Sequence, residues 1–297
     1  MKRLDFHNPM CGLHVVLLAM FLSAVVFAGT GAVPHQTGRF VVQFDQYSPL
    51  SSTEALMERM KVPIKPGLID KHYYAIKEES FEVYVPGAYE PNTPFGLLVW
   101  ISPNPDGNIE RYLGFRGLMD QHKLIWVGAN RSGNETDLFQ RRIPLALDAA
   151  YNMPKLYTID PNRIYVAGLS GGGRVASITA FHHSDVYHGG VFIIGTNYWK
   201  PASIPEQNIV LKANAPRPRP EFLLRAKERG RYALLTGDTD VNRPQMHTYY
   251  EGLRKDLNHV LYIQVPGMGH EVPPPKAFDE ALDYIDISLS QKAESDN

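Results

Sequence analysis

The sequence predicts an α/β domain with a mostly parallel central sheet and helices on both faces. Three observations predict it. First, continuous apolar runs closed by turn residues recur along the chain: "FGLLVWISP" from Phe95, "KLIWVGA" from Lys123, "RIYVAG" from Arg163, "GGVFIIG" from Gly189, "YALLTG" from Tyr232 and "VLYIQVPG" from Val260. Strands covered on both faces read this way. Second, helical patterns stand between and after them: "PLALDAAYNMPKLY", "GRVASITAFHH", "PQMHTYYEGLRKDL" and "PKAFDEALDYIDISL". Strands alternating with helices imply parallel crossovers. Third, 297 residues with 44% apolar and 21% charged content are enough for one large core.

At the N-terminus, Lys2 and Arg3 precede an apolar run from Leu13 to Ala28, interrupted only by His14 and Ser23, and the small residues "GTGA" follow. A basic start, an apolar middle and a small-residue exit make a secretory signal. The run is short for a membrane span, which needs ~20 apolar residues. Residues 1–32 are therefore expected to be a signal peptide, cleaved after Ala28 or Ala32. Residues 33–297 then form a single domain, secreted or periplasmic, with no stable membrane association. The lone cysteine, Cys11, precedes the apolar run, so the mature chain is expected to have neither disulfide nor thiolate chemistry. A net charge of −1 with scattered basic residues predicts no nucleic-acid partner. Nothing in the sequence specifies an oligomeric state.

Further along, residues 33–63 read as a short strand, a polar turn and a helix beginning near Ser51, with Ser52, Glu54 and Glu58 marking its start. "HYYAIKEESFEVYVP" alternates as two short strands would. After the core strands begin, only Pro201 to Pro220 breaks the alternation. It carries five prolines and reads as a surface loop or small lid.

One strand-to-helix junction carries the chemistry. Gly168-Leu169-Ser170-Gly171-Gly172 fits G-x-S-x-G, a turn so tight that its serine takes a strained backbone and projects above the sheet. The flanking glycines remove Cβ atoms that would clash as helix crosses strand. The Gly171 amide then lies at a helix N-terminus, where it can donate to a developing oxyanion. Neither a P-loop nor a G-x-G-x-x-G dinucleotide pattern is present. The turn demands an acid and then a histidine beyond later strands. "YALLTGDTD" supplies Asp238 and Asp240, and "VLYIQVPGMGHE" supplies His270. His182, His183 and His188 sit near a helix end, where a cation meets the helix dipole favourably. No cluster has zinc spacing, so no metal is expected.

With these positions in place the chain resembles the α/β-hydrolase superfamily, and within it secreted esterases of the polyhydroxybutyrate-depolymerase and feruloyl-esterase type. The resemblance is carried by "FGLLVWISP", "HKLIWVGANRSGNE", "IDPNRIYVAGLSGGGRVAS", "LLTGDTDVNR" and "PGMGHEVP", spanning Phe95 to Pro273. It implies an α/β-hydrolase fold, Ser170 as nucleophile, His270 as general base and no cofactor. The orienting acid of such enzymes stands three places after the strand-end glycine, which is Asp240. Asp238 then serves the turn. The resemblance also implies a second oxyanion donor after the Phe95 strand, beside Gly171. The chain departs there with "SPNPDG". Pro103 and Pro105 lack an N–H, leaving Ser102 or Asn104, with Asn104 the expected donor. The expected substrate is a small-molecule or polymeric ester. The loops "NRSGNE" and "TNYWK" would line its pocket. Tyr198 and Trp199 either stack on the acyl group or pack under the proline-rich segment. Two other functions fit the motifs: a serine peptidase acting on small peptides, and a non-catalytic hydrolase-like binding protein. "NRS" at Asn130 and "NET" at Asn134 match glycosylation sequons.

Overall fold

The computed structural model describes residues 35–62, 72–204 and 207–286, with the backbone of residues 25–27. The predicted signal peptide otherwise lies outside the described residues. The strands are β1 (Val25–Phe27), β2 (Gly38–Gln43), β3 (Phe81–Val85), β4 (Phe95–Ile101), β5 (Leu124–Ala129), β6 (Ile159–Leu169), β7 (Gly189–Ile193), β8 (Ala202–Ile204), β9 (Ile209–Leu211), β10 (Arg231–Gly237) and β11 (Val260–Val265). The helices are α1 (Thr53–Met60), α2 (Phe115–His122), α3 (Ile143–Leu156), α4 (Gly171–His182), α5 (Pro220–Arg229), α6 (Arg243–Asp256) and α7 (Pro275–Ile285). Among the described residues, nine strands form one sheet in the order β1-β2-β3-β5-β4-β6-β7-β10-β11. Only β3 runs antiparallel to its neighbours β2 and β5. The crossing of β4 and β5 in the order, with parallel pairing from β5 to β11, is the α/β-hydrolase arrangement.

The continuous apolar runs are explained by cover on both faces. All seven residues of β4 are buried. Leu97, Val99 and Ile101 join the core packed by α1, α3, α4 and α6, while Leu98 and Trp100 point into the core packed by α2 and α7. Period-two alternation thus still operates, but both sides are dry. On the second face Trp100 stacks on Trp126 with centroids 4.6 Å apart, and Phe115 on Phe278 at 4.2 Å. At the α2–α7 contact, His122 Nε2 lies 2.7 Å from Asp279 Oδ1. His122, Asp279 and Asp283 are the one group among the described residues whose ligand-type atoms gather within 4.8 Å. Ser52 caps α1 as expected, accepting from the Ala55 amide at 3.2 Å.

Three local expectations are corrected. "HYYAIKEESFEVYVP" forms one short helical turn, Ile76–Glu78, followed by the single strand β3. The proline-rich segment is not continuous loop: it contains the hairpin β8–β9 and ends where Pro220 opens α5 as its first helical residue. The histidines near the end of α4 are not cations favoured by the helix dipole. His182 and His183 are fully buried. Burial pushes His182 down to about 4 and holds His183 well below its ordinary value. His188 is shifted down for the same reason. As neutral rings, His182 donates from Nε2 to the Pro216 carbonyl at 3.1 Å and His183 from Nδ1 to the Thr179 carbonyl at 3.1 Å.

Candidate active site

Ser170 stands between the end of β6 and the start of α4 with φ 54° and ψ −118°, a conformation that costs a non-glycine residue roughly 1–3 kcal/mol. The surroundings hold it there. Its amide donates to the Ile193 carbonyl of β7 at 2.8 Å, and its carbonyl accepts from the Arg174 amide at 3.1 Å. The expected crowding is present. A Cβ at Gly168 would lie 2.5 Å from Gly172 O and 2.7 Å from Ile101 O, and one at Gly172 would overlap Ile101 O. Both positions are closed by backbone, which cannot yield.

The loops after β10 and β11 bring the acid and the base to this serine. Ser170 Oγ lies 2.8 Å from His270 Nε2, and His270 Nδ1 lies 2.9 Å from Asp240 Oδ1. The His270 side chain is 37% exposed, while that of Asp240 is fully buried. Asp240 also accepts from the Asn242 amide at Oδ1 (3.0 Å) and from Thr236 Oγ1 at Oδ2 (2.8 Å). A carboxylate held by three donors has its orientation set before any proton moves. Asp238 takes a different place. Its Oδ1 accepts from the Gly267 amide at 2.7 Å, and Thr239 Oγ1 donates to the Met268 carbonyl at 2.8 Å. These bonds tie the β10 loop to the loop that carries His270.

The oxyanion side differs from expectation. Gly171 opens α4 as predicted. The Asn104 amide, however, donates to Ser102 Oγ at 3.0 Å. Ser102 Oγ is in turn 3.3 Å from Tyr112 Oη, which accepts from Trp100 Nε1 at 3.0 Å. The Asn104 amide is therefore already engaged within its own loop. Tyr198 and Trp199 are corrected as substrate-stacking residues, since they are 4% and 6% exposed. Trp199 packs edge-on against Phe181, Tyr198 against Tyr249, and Tyr198 Oη donates to Asp256 at 2.9 Å. Their apolar rings are consumed by the α4–α6 side of the core.

Three contributors escaped the sequence reading. Thr236 is a hydroxyl in an otherwise apolar buried strand, four residues before Asp240, and that pairing was a readable signal. Asn242 enters through its backbone, which leaves no signature. Arg142 ends a π-helical turn, Leu138–Arg142, ahead of α3 and is buried. It donates to Ser102 O at 2.8 Å and lies 3.5 Å from Gly171 O, so one cation backs both the β4 loop and the elbow. Burial lowers it to about 10, which leaves it charged at neutral pH.

No family model matches the chain, and no curated protein matches it. Solved structures do. S-formylglutathione hydrolase (FrmB) from Staphylococcus aureus aligns at TM-score 0.53 and 13% identity, over 69% of this chain and 92% of that one. The feruloyl esterase module from Clostridium thermocellum, complexed with sinapinate, aligns at TM-score 0.54 and 18% identity, over 70% and 83%. A fungal esterase from Rhizomucor miehei aligns at TM-score 0.51 and 16% identity, over 74% and 80%. Identities this low speak for the shared α/β-hydrolase fold.

Proposed function

We propose that this chain of α/β-hydrolase fold is a serine-dependent hydrolase of carboxylic esters. The single observation that carries the reading is the unbroken hydrogen-bonded line Ser170–His270–Asp240 at the carboxyl ends of three parallel strands. His270 Nδ1–H donates to Asp240, which leaves Nε2 as the acceptor facing the Ser170 hydroxyl. Nε2 takes the hydroxyl proton as Oγ attacks the ester carbonyl, and the tetrahedral oxyanion forms beside the Gly171 amide. Collapse of this intermediate expels the alcohol, protonated from His270 Nε2–H, and leaves Ser170 acylated. Water, activated by the same imidazole, releases the acid. Asp240 holds the tautomer and stabilises the imidazolium without taking the proton itself. The partly exposed histidine leaves the face open to a bulky or polymeric ester. The solved neighbours described as esterases support an ester as the substrate.

The test is hydrolysis of a p-nitrophenyl ester of short acyl chain by purified protein, together with labelling by a fluorophosphonate. Turnover with label on Ser170 supports the reading. Absence of both overturns it. Export belongs to the same proposal and is supported by the Lys2-Arg3 start and the apolar run to Ala28. Mass spectrometry of the exported protein should find Gly29 or Val33 at the N-terminus. A retained Met1 would mean an anchored or internal protein.

A further inference from the structure

We infer that the side-chain amide of Asn134 is the second oxyanion donor, acting beside the Gly171 backbone amide. This inference rests on the esterase reading and names a residue that contacts the reacting oxygen. Asn134 lies in the loop after β5, which is laced to the loop after β4. Its own amide donates to Pro103 O at 3.0 Å, and the Ser132 amide donates to Pro105 O at 3.3 Å. The two loops approach so closely that a Cβ at Gly133 would come within 2.7 Å of the Asn104 carbonyl carbon. The backbone position of Asn134 is thereby fixed against the segment where the second donor belongs.

Its side chain reaches across to the elbow. A Cβ placed on Gly171 would overlap Asn134 Oδ1, with Cγ 2.8 Å and Nδ2 3.0 Å away. All three nearest atoms belong to that one carboxamide. Gly171 therefore differs from Gly168 and Gly172, where the backbone itself excludes a side chain. A methyl group on Gly171 would push the movable Asn134 carboxamide aside. Asn134 is an exposed residue, and among the described residues no hydrogen bond engages its carboxamide. Rotation about its last torsion turns Nδ2 toward the substrate oxygen at little cost, because that torsion is broad and two-fold. A neutral N–H donor aimed at developing negative charge does the same electrostatic work as a backbone amide. Meanwhile the Asn104 amide is committed to Ser102 Oγ. The NRSGNE loop thus supplies a catalytic group as well as lining the site.

The experiment compares steady-state hydrolysis of a p-nitrophenyl ester by wild type, Asn134→Ala, Asn134→Asp, Gly171→Ala and the Gly171→Ala/Asn134→Ala double variant. Affinity for an alkylboronic acid, which forms a tetrahedral anion on the serine, is measured in parallel. Asn134→Ala is expected to lower kcat about 10²-fold, the usual cost of one oxyanion donor. Its KM should move little, its Tm should hold, and boronate affinity should fall with kcat. Asn134→Asp keeps the shape but opposes the oxyanion with charge, so its kcat should fall at least as far. Gly171→Ala should lower kcat in wild type and add nothing once Asn134 is alanine. A kcat within threefold of wild type in Asn134→Ala overturns the inference, as does a Gly171→Ala loss that simply multiplies. Failure of the esterase reading is distinct, because wild type would then neither turn over ester nor take the fluorophosphonate label, and the inference falls with it.

Discussion

The two ends of α4 place the same functional groups in opposite circumstances. At the N-terminal end Ser170 faces His270, whose side chain is 37% exposed and whose second nitrogen is met by Asp240. At the C-terminal end His182 and His183 are 1% and 0% exposed, each with one ring nitrogen on a backbone carbonyl and the other buried without a partner. A histidine with solvent access and a carboxylate behind it can gain and lose a proton during a reaction. One sealed in the core is held neutral by the cost of desolvating its charge. Residue type alone therefore does not assign the role. The role follows from what meets the second nitrogen.

That contrast can be broken at the Ser170 end first. Ser170→Ala is expected to cost on the order of 10⁶ in kcat while leaving thermal stability near wild type, because alanine keeps the Cβ and the backbone hydrogen bonds that hold the turn. Ester hydrolysis and a melting curve check it, and near-normal turnover would remove the nucleophile assignment. Next, Asp240→Asn keeps shape while favouring the wrong imidazole tautomer, so kcat should fall about 10⁴-fold. Asp238→Asn retains an acceptor for the Gly267 amide and should keep most activity. If the two variants exchange behaviour, Asp238 is the orienting acid.

A finer probe is Thr236→Val, which deletes the hydroxyl on Asp240 Oδ2 without changing volume greatly. Loss of one hydrogen bond to a charged group is worth about 1.5–3 kcal/mol, which sets the range for the fall in kcat at about 10-fold to 100-fold. An unchanged kcat would show that Asn242 and His270 alone aim the carboxylate. The other end of α4 should answer to pH and not to substrate. His182 is depressed from its ordinary value to about 4, so the unfolded chain binds its proton first as pH falls. The stability it contributes is present above about pH 6.5 and is lost as pH falls toward 4, about 3 kcal/mol over the window. Asp148, raised to about 6, runs the other way, because its folded state takes up a proton first. Comparing wild type with His182→Gln cancels that shared effect. The variant should lose less stability between pH 6.5 and 4 in urea titrations and keep wild-type kcat at pH 7. Parallel stability curves would mean the ring is not held neutral.

Much of this is legible in the amino-acid sequence. The parallel core strands, the Gly168-to-Gly172 turn and the order of Ser170, Asp240 and His270 all appear as local patterns. Helices α2 and α5 were not legible. Each is amphipathic but short and starts without a capping side chain, α5 behind the prolines of the Pro201–Pro220 segment, and α2 is held largely by burial of Phe115 and Met119 against the α7 side of the sheet. Tyr198 and Trp199 illustrate the same limit, because an aromatic pair after a strand reads equally as a binding surface or as core.

The sequence by itself determined the alternation of buried strands and helices, the strained serine turn and the chain order of its partners, because each is written in residues close together along the chain. Only the tertiary structure decided that Thr236 and the Asn242 amide hold Asp240, that the Asn104 amide is spent on Ser102 and that Asn134 fills the space above Gly171. These are contacts between loops far apart in sequence. Their geometry is set by how the strands align in register and how closely backbones approach, and neither quantity is encoded in any single stretch of residues.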